Sequence, residues 1–126
     1  IKHGYRSGFE HTVSKELTEA KVKFEYETTV IPYIKPETNH TYTIDFTLPN
    51  GILVETKGRW VLEDRKKHLL IKIQHPKLDI RLVFQNSKGK IRKGSKTTYA
   101  DFCNKNDIIW ADKSIPKAWY NEKILK

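Results

Sequence analysis

The chain contains no methionine and one cysteine, Cys103, in 126 residues. A lone thiol cannot close an intrachain disulfide, so the small disulfide-stapled secreted folds are excluded. No stretch approaches the roughly 18 uninterrupted apolar residues of a membrane span, and no secretory signal precedes the first polar segment. The expectation is an intracellular protein without a membrane partner, its native N-terminus trimmed ahead of Ile1. His40, His68 and His75 show no ligand spacing with one another or with Cys103, which argues against zinc. Internal repeats, heptads and low-complexity tracts are also missing. This length suits one domain, residues 1–126, around a single core.

Acid is the other shortage. Lys and Arg number 24 against 15 Asp and Glu, a formal charge of +9. The imbalance is local: from Lys57 to Lys96, thirteen basic residues meet three acids, Glu63, Asp64 and Asp79. A basic half on so small a protein points to a polyanion, most simply nucleic acid. The plain alternative is a solvated basic surface that keeps the chain soluble. Arg65-Lys66-Lys67 and the cluster Lys88, Lys90, Arg92, Lys93, Lys96 suit phosphate contacts that position DNA without reading its sequence.

Ser7-Gly8-Phe9-Glu10 has the form of a capping box, and Phe9, Val13, Leu17 and Ala20 follow at helical spacing, predicting a helix over 8–21. Val22, Phe24 and Tyr26 alternate with polar residues as in a strand. Pro32 and Pro36 exclude helix and disfavour a central strand over 31–39, which reads as an extended connector. A second helix is expected from Glu63 to His75, with Leu62, Leu69, Leu70 and Ile73 inward and Arg65, Lys66, Lys67 and Lys72 outside. Ile80–Phe84 reads as a buried strand. Residues 85–96, nearly devoid of apolar side chains, read as a mobile basic loop. A third helix starts near Thr97 or Thr98 with Tyr99, Phe102 and Cys103 inside. Residues 108–111 suggest a last strand, Trp119 a docked tail, and Trp60 a core residue. The order implies an α/β or α+β fold, a mixed central sheet flanked by helices.

The chemistry concentrates in residues 41–57. Two short strands joined at Pro49-Asn50-Gly51 are expected, with Tyr42, Ile44, Phe46 and Leu48 on one face and Asp45 on the other. Leu53, Glu55 and Lys57 share a face of the second strand. Two carboxylates and an ammonium beside a core are costly unless something compensates them. A divalent cation would do so, because Mg²⁺ takes hard oxygen ligands and needs only one or two carboxylates with substrate phosphate. Asp45 and Glu55 fit that count, the Thr56 carbonyl offers a further oxygen, and Lys57 can orient water or neutralise charge on a phosphoryl transition state. Taken singly, each residue has a plainer explanation. Glu55 and Lys57 can form a surface ion pair, Asp45 can be turn-proximal, and Glu10 is accounted for by its capping box.

The spacing D-x(9)-E-x-K resembles the PD-(D/E)xK nuclease superfamily. Runs such as Arg6–Glu10, Asn39–Thr43, Val54–Gly58, Asp64–Ile71 and Gln74–Pro76 resemble, more closely, the endonuclease I family of T7-type bacteriophages, nucleases that resolve four-way DNA junctions. The similarity runs to about Pro116. It implies a restriction-endonuclease-like core, metal-binding carboxylates at Asp45 and Glu55, a metal-bound carbonyl at Thr56, a catalytic lysine at Lys57 and a helix-borne acid at Glu10. The implied cofactor is Mg²⁺, with Mn²⁺ as a substitute, one or two per site. The implied partner is branched DNA, encountered in the cytoplasm of an infected bacterium. The resemblance also implies a homodimer with exchanged N-terminal segments: helix and strand over 8–34, an extended bridge over 35–39, and a catalytic core over 40–126. Ile44 departs from the family, which usually has proline before the aspartate, and the family's basic C-terminal extension is missing or short. Two other readings remain at this point, a restriction- or repair-type nuclease acting on linear duplex, and a non-catalytic basic DNA-binding protein with a nuclease-like fold.

Overall fold

The computed structural model describes residues 8–35 and 38–123. Ser7, the first residue of the expected capping box, and Pro36 and Glu37 of the expected bridge lie outside that range. Helix α1 spans Gly8–Glu19, followed by β1 (Glu25–Tyr26), β2 (Val30–Lys35), β3 (Thr38–Thr43), β4 (Phe46–Thr47) and β5 (Leu53–Lys57). Helix α2 spans Leu62–Gln74, then β6 (Ile80–Phe84), α3 (Tyr99–Lys105), β7 (Trp110–Asp112) and α4 (Lys117–Tyr120). Strands β1-β4-β5-β6-β7 form one mixed sheet, antiparallel from β1 to β5 and parallel from β5 to β7. Its two faces are buried differently. Val54 and Val83 join Val13 and Leu17 of α1 and Trp119 of α4 in one cluster. Leu53 packs with Ile71 of α2, while Leu82 and Phe84 pack with Trp60, Tyr99 and Cys103. Successive strand residues thus serve opposite layers, and the fold is α+β with a helix-flanked mixed sheet.

The connector is not merely extended. Strands β2 and β3 pair along their full length as a separate two-stranded sheet, from Val30↔Thr43 to Lys35↔Thr38. Pro32 is tolerated because both strands of a two-stranded sheet are edges. The C-terminus of α2 covers one edge: the Gln74 amide accepts from the Ile34 N–H at 2.6 Å and donates to the Ile34 carbonyl at 2.5 Å. His75 Nε2 meets the Pro32 carbonyl.

The expected strand through Tyr42, Ile44, Phe46 and Leu48 is two strands in two sheets. The chain leaves the small sheet after Thr43 and enters the large one at Phe46. Ile44 packs with Ile31, Leu53 and Ile71, whereas Phe46 and Leu48 pack with α1 residues. The turn to β5 follows expectation, with Gly51 N donating to the Leu48 carbonyl and Gly51 at φ +90°, a left-handed conformation that suits glycine.

Helix α2 is rotated from the face assigned by sequence. Its buried residues are Arg65, His68 and Ile71, while Leu62 and Ile73 are 53% and 74% exposed. The Arg65 guanidinium donates to the carbonyls of Trp60 (3.0 Å) and Ile91 (2.9 Å). Arg65 is therefore removed from the outward phosphate-contacting set. Residues 85–96 are also tied down rather than loose. Ser87 donates from its N–H (2.7 Å) and hydroxyl (2.5 Å) to the Asp112 carboxylate, Lys90 bridges Thr98, and Ile91 packs under Trp60. Helix α3 starts as expected, with a reciprocal Thr98–Asp101 capping box. Cys103, Trp60 and Trp119 are buried as expected. Among the described residues no helix is long and apolar enough to cross a membrane.

Candidate active site

The β4–β5 ladder stops at Phe46↔Val54. Continued by one step, that register sets Asp45 opposite Glu55, and there side chains take over from the backbone. The Asp45 N–H donates to Glu55 Oε1 at 2.6 Å. Asp45 Oδ2 accepts from both the N–H and the hydroxyl of Thr56, each at 3.0 Å. The Asp45 carbonyl accepts from Glu27 N–H across β1. The strands part where the two acids sit, opening a cleft of about 450 Å³ lined by Glu10, Tyr42, Thr43, Asp45, Glu55, Thr56, Lys57, Asp64 and Lys67.

Glu55 is almost wholly buried, and its second oxygen accepts from the Tyr42 hydroxyl. Burial, reinforced by the neighbouring Asp45, pushes its carboxyl up to about 8. Burial also raises Asp45, to about 6, with the Glu10 charge adding to the shift and the Thr56 bonds opposing it. Lys57 answers part of this charge, its Nζ lying 3.8 Å from Glu55 and 3.9 Å from Asp64.

Glu10 also belongs to this site. It is buried on the first turn of α1, accepts from the Tyr26 hydroxyl at 2.7 Å, and reaches the same cleft. One carboxylate oxygen from each of Glu10, Glu27 and Asp45 lies within 4.8 Å of the others. Glu55 stands outside this triangle, though each of its oxygens keeps a second lone pair beyond the bond it accepts. An all-oxygen donor set in which two carboxyls are held above their ordinary range by burial and crowding suits a hard divalent cation.

The cleft thus gathers Glu10, Asp45, Glu55, Thr56 and Lys57 of one chain, together with Lys67 from the basic triplet. Lys66 does not line the cleft but a neighbouring groove, with Tyr33, His40 and Lys67. Lys88, Lys90, Arg92, Lys93 and Lys96 are exposed on the loop before α3 and do not line the cleft. No expectation from the sequence placed Tyr42, Thr43 or Asp64 at the cleft, or Glu27 beside Glu10 and Asp45. Alternation sets Glu27 on the polar side of a strand, but it holds φ +53°, uncommon for a residue with a side chain, at the point where its N–H donates to the Asp45 carbonyl. Tyr42 was assigned to an apolar face, and only its hydroxyl hinted otherwise. Asp64 carried no local signal.

Known proteins resemble this chain along most of its length. The family model described as phage endonuclease I matches residues 1–126. "Endonuclease I" of Escherichia phage T7 is 58% identical over 118 residues, covering 94% of this chain and 79% of the relative. "Endodeoxyribonuclease 1" of Enterobacteria phage T3 is 57% identical over 118 residues, covering 94% and 78%. This chain belongs to the phage endonuclease I family and is an endonuclease.

Proposed function

We propose that this protein is a divalent-metal-dependent, structure-selective DNA endonuclease that resolves four-way junctions as a homodimer. The observation that carries the reading is the convergence of Glu10, Asp45, Glu55 and Lys57 on one open cleft, in a chain with a net charge of +9. Asp45, Glu55, the Thr56 carbonyl and Glu10 would hold Mg²⁺ or Mn²⁺, with Glu27 close enough to join them. The cation supplies Lewis-acid polarisation of the phosphodiester and makes water a better nucleophile.

The protein's own groups do the positioning. Thr56 holds Asp45 through two hydrogen bonds, so one carboxylate oxygen stays turned to the cleft. Lys57, 16% exposed, offers its ammonium where charge grows on the phosphoryl oxygens. Exposed Lys66 and the lysines and arginine of residues 88–96 supply sequence-independent phosphate contacts, consistent with recognition by shape.

Dimerisation with segment exchange belongs to the same reading. Glu10 and Glu27 precede β2, whereas Asp45, Glu55, Thr56 and Lys57 follow β3. Parting β2 from β3 and re-forming that pairing between two chains would deliver both acids to a partner, which is the economy of exchanging identical elements. Two sites related by a two-fold axis match paired incisions across a four-way junction.

The test compares cleavage of a four-way junction, a mismatched duplex and a linear duplex, with Mg²⁺ and with chelator. Junction cleavage that needs Mg²⁺ and exceeds linear cleavage is expected. Equal cutting of linear duplex would overturn the junction assignment, and activity in chelator would overturn the metal assignment.

A further inference from the structure

Tyr42 occupies a position that no expectation from the sequence assigned to it. Its strand, β3, belongs to the small sheet, yet its side chain crosses to the large sheet and donates a hydrogen bond to Glu55 Oε2. Two ammonium groups lie over its ring, Lys57 Nζ at 5.8 Å and Lys67 Nζ at 5.6 Å from the centroid. Both are within cation–π range. A phenol whose O–H is bound to a carboxylate presents a more electron-rich ring, so the two contacts strengthen each other. Lys67 comes from α2, and Tyr42, Lys57 and Lys67 all line the cleft.

We propose, resting on the nuclease reading above, that Tyr42 is a positioning residue with two separable tasks. Its hydroxyl holds Glu55 in the rotamer that the metal site requires, and its ring keeps Lys67 beside Lys57 as a second cation for the reacting phosphate. Lys67 then belongs to the reacting centre rather than to the peripheral phosphate contacts. The packing supports a division of labour. Tyr42 also packs against the cluster of Ile31, Tyr33, Ile44, Leu53 and Ile71, so removing the hydroxyl alone leaves the core contact and the cation–π surface in place. Glu55 would then keep its bond from the Asp45 N–H and its ion pair with Lys57.

Three variants separate these tasks. Tyr42→Phe is expected to weaken Mn²⁺ binding, measured calorimetrically with the metal alone, by about 10- to 100-fold, the range seen when a partner of a metal ligand is removed. Its cleavage rate should recover at high Mn²⁺ with an unchanged KM for junction DNA. Tyr42→Leu, which loses the ring as well, should keep a lowered single-turnover rate at saturating DNA even at high Mn²⁺. Lys67→Gln should leave Mn²⁺ affinity within about twofold of the parent but lower the single-turnover rate at saturating DNA by about 10-fold or more, as removal of a transition-state contact does.

Mn²⁺ affinity unchanged in Tyr42→Phe would overturn the first task. A Lys67→Gln protein that loses affinity for DNA but not single-turnover rate would overturn the second. Failure of the nuclease reading would show differently, as a parent protein that binds Mn²⁺ yet cuts no DNA. The Mn²⁺ titration of Tyr42→Phe decides the first task in that case, and the second is overturned with the reading on which it rests.

Discussion

Asp45 and Glu55 hold each other crosswise. Glu55 Oε1 takes the backbone N–H of Asp45, and Asp45 Oδ2 takes the backbone N–H of Thr56, the residue after Glu55. Carboxylates replace ladder hydrogen bonds at the step where β4 and β5 part. The two acids are thereby fixed at the mouth of a split in the sheet, at an electrostatic cost that the metal-free protein bears alone.

That cost sets a pH dependence. Folded Glu55 titrates near 8, above the ordinary carboxyl value of 4.5, so between those values the folded state holds a proton that the unfolded chain has released. Stability from this group is present at low pH and lost as pH rises through 8. His68 works in the opposite sense, because burial lowers it to about 4: the unfolded imidazole takes a proton below about 6.5 that the folded one refuses. Over the interval from 8.5 to 6.5 Glu55 dominates, with Asp45, raised to about 6, adding a smaller part in the same sense and His68 opposing it at the lower end. In chelator, urea denaturation should show a gain of about 1–2 kcal/mol on acidification across it. Saturating Mg²⁺ should remove that gain by favouring ionised Glu55. Glu55→Gln should abolish the gain too, stabilise the metal-free protein at pH 8.5 by a similar amount, and lower cleavage by at least about 10²-fold. Wild-type stability flat in chelator would refute the assignment of buried charge to Glu55.

Lys57→Met should reduce junction cleavage by about 10²–10³-fold while Mg²⁺-dependent binding of the junction persists. The ammonium lies between Glu55 and Asp64 and over Tyr42, a place suited to phosphate charge rather than to holding the fold. Gel-shift binding beside single-turnover cleavage checks this. Loss of binding equal to loss of rate would assign Lys57 to ground-state affinity instead.

Arg65→Ala should act on stability before it acts on DNA. Two carbonyls, those of Trp60 and Ile91, lose their donor, and a buried cavity is left beside Phe102. Hydrogen bonds from a charged donor contribute about 1.5–3 kcal/mol, so a loss of roughly 2–4 kcal/mol in urea denaturation is expected. Lys66→Ala on the exposed face should change stability by less than about 0.5 kcal/mol while weakening DNA binding. A stable Arg65→Ala protein with impaired DNA binding would restore Arg65 to the interface.

Segment exchange is tested by mixing defects. In a heterodimer of a Glu10→Ala chain with a Glu55→Ala chain, exchange gathers both lesions into one site and leaves the other whole, so nicking activity at one strand returns. Without exchange every site carries one lesion, and the heterodimer stays inactive.

Much of the site was legible because its parts are local. Asp45 and Glu55 are ten residues apart across one turn, and Glu55 and Lys57 share a strand face by the two-residue repeat. The face of α2 was not legible. Ile71 and His68 turn inward because Arg65 finds the carbonyl of Ile91, 26 residues on, and no periodicity within the helix records that partner. The change of sheet at Ile44 and Asp45 was hidden for a related reason. Alternation persists on paper through Tyr42, Ile44, Phe46 and Leu48, but the small sheet packs Ile44 against α2 while the large one turns Phe46 toward α1.

By itself, the sequence determined the basic character of the chain, the α+β order of its elements, and the acids and lysine able to meet across one hairpin, since charge, periodicity and turn chemistry act over a few residues. Tertiary structure alone decided that Glu10 and Glu27 join Asp45, that Tyr42 reaches Glu55 from a second sheet, and that Arg65 faces inward. Each of those depends on a partner distant in sequence, and burial, which raises Asp45 and Glu55 and makes the cleft fit for a cation, exists only once the layers have closed.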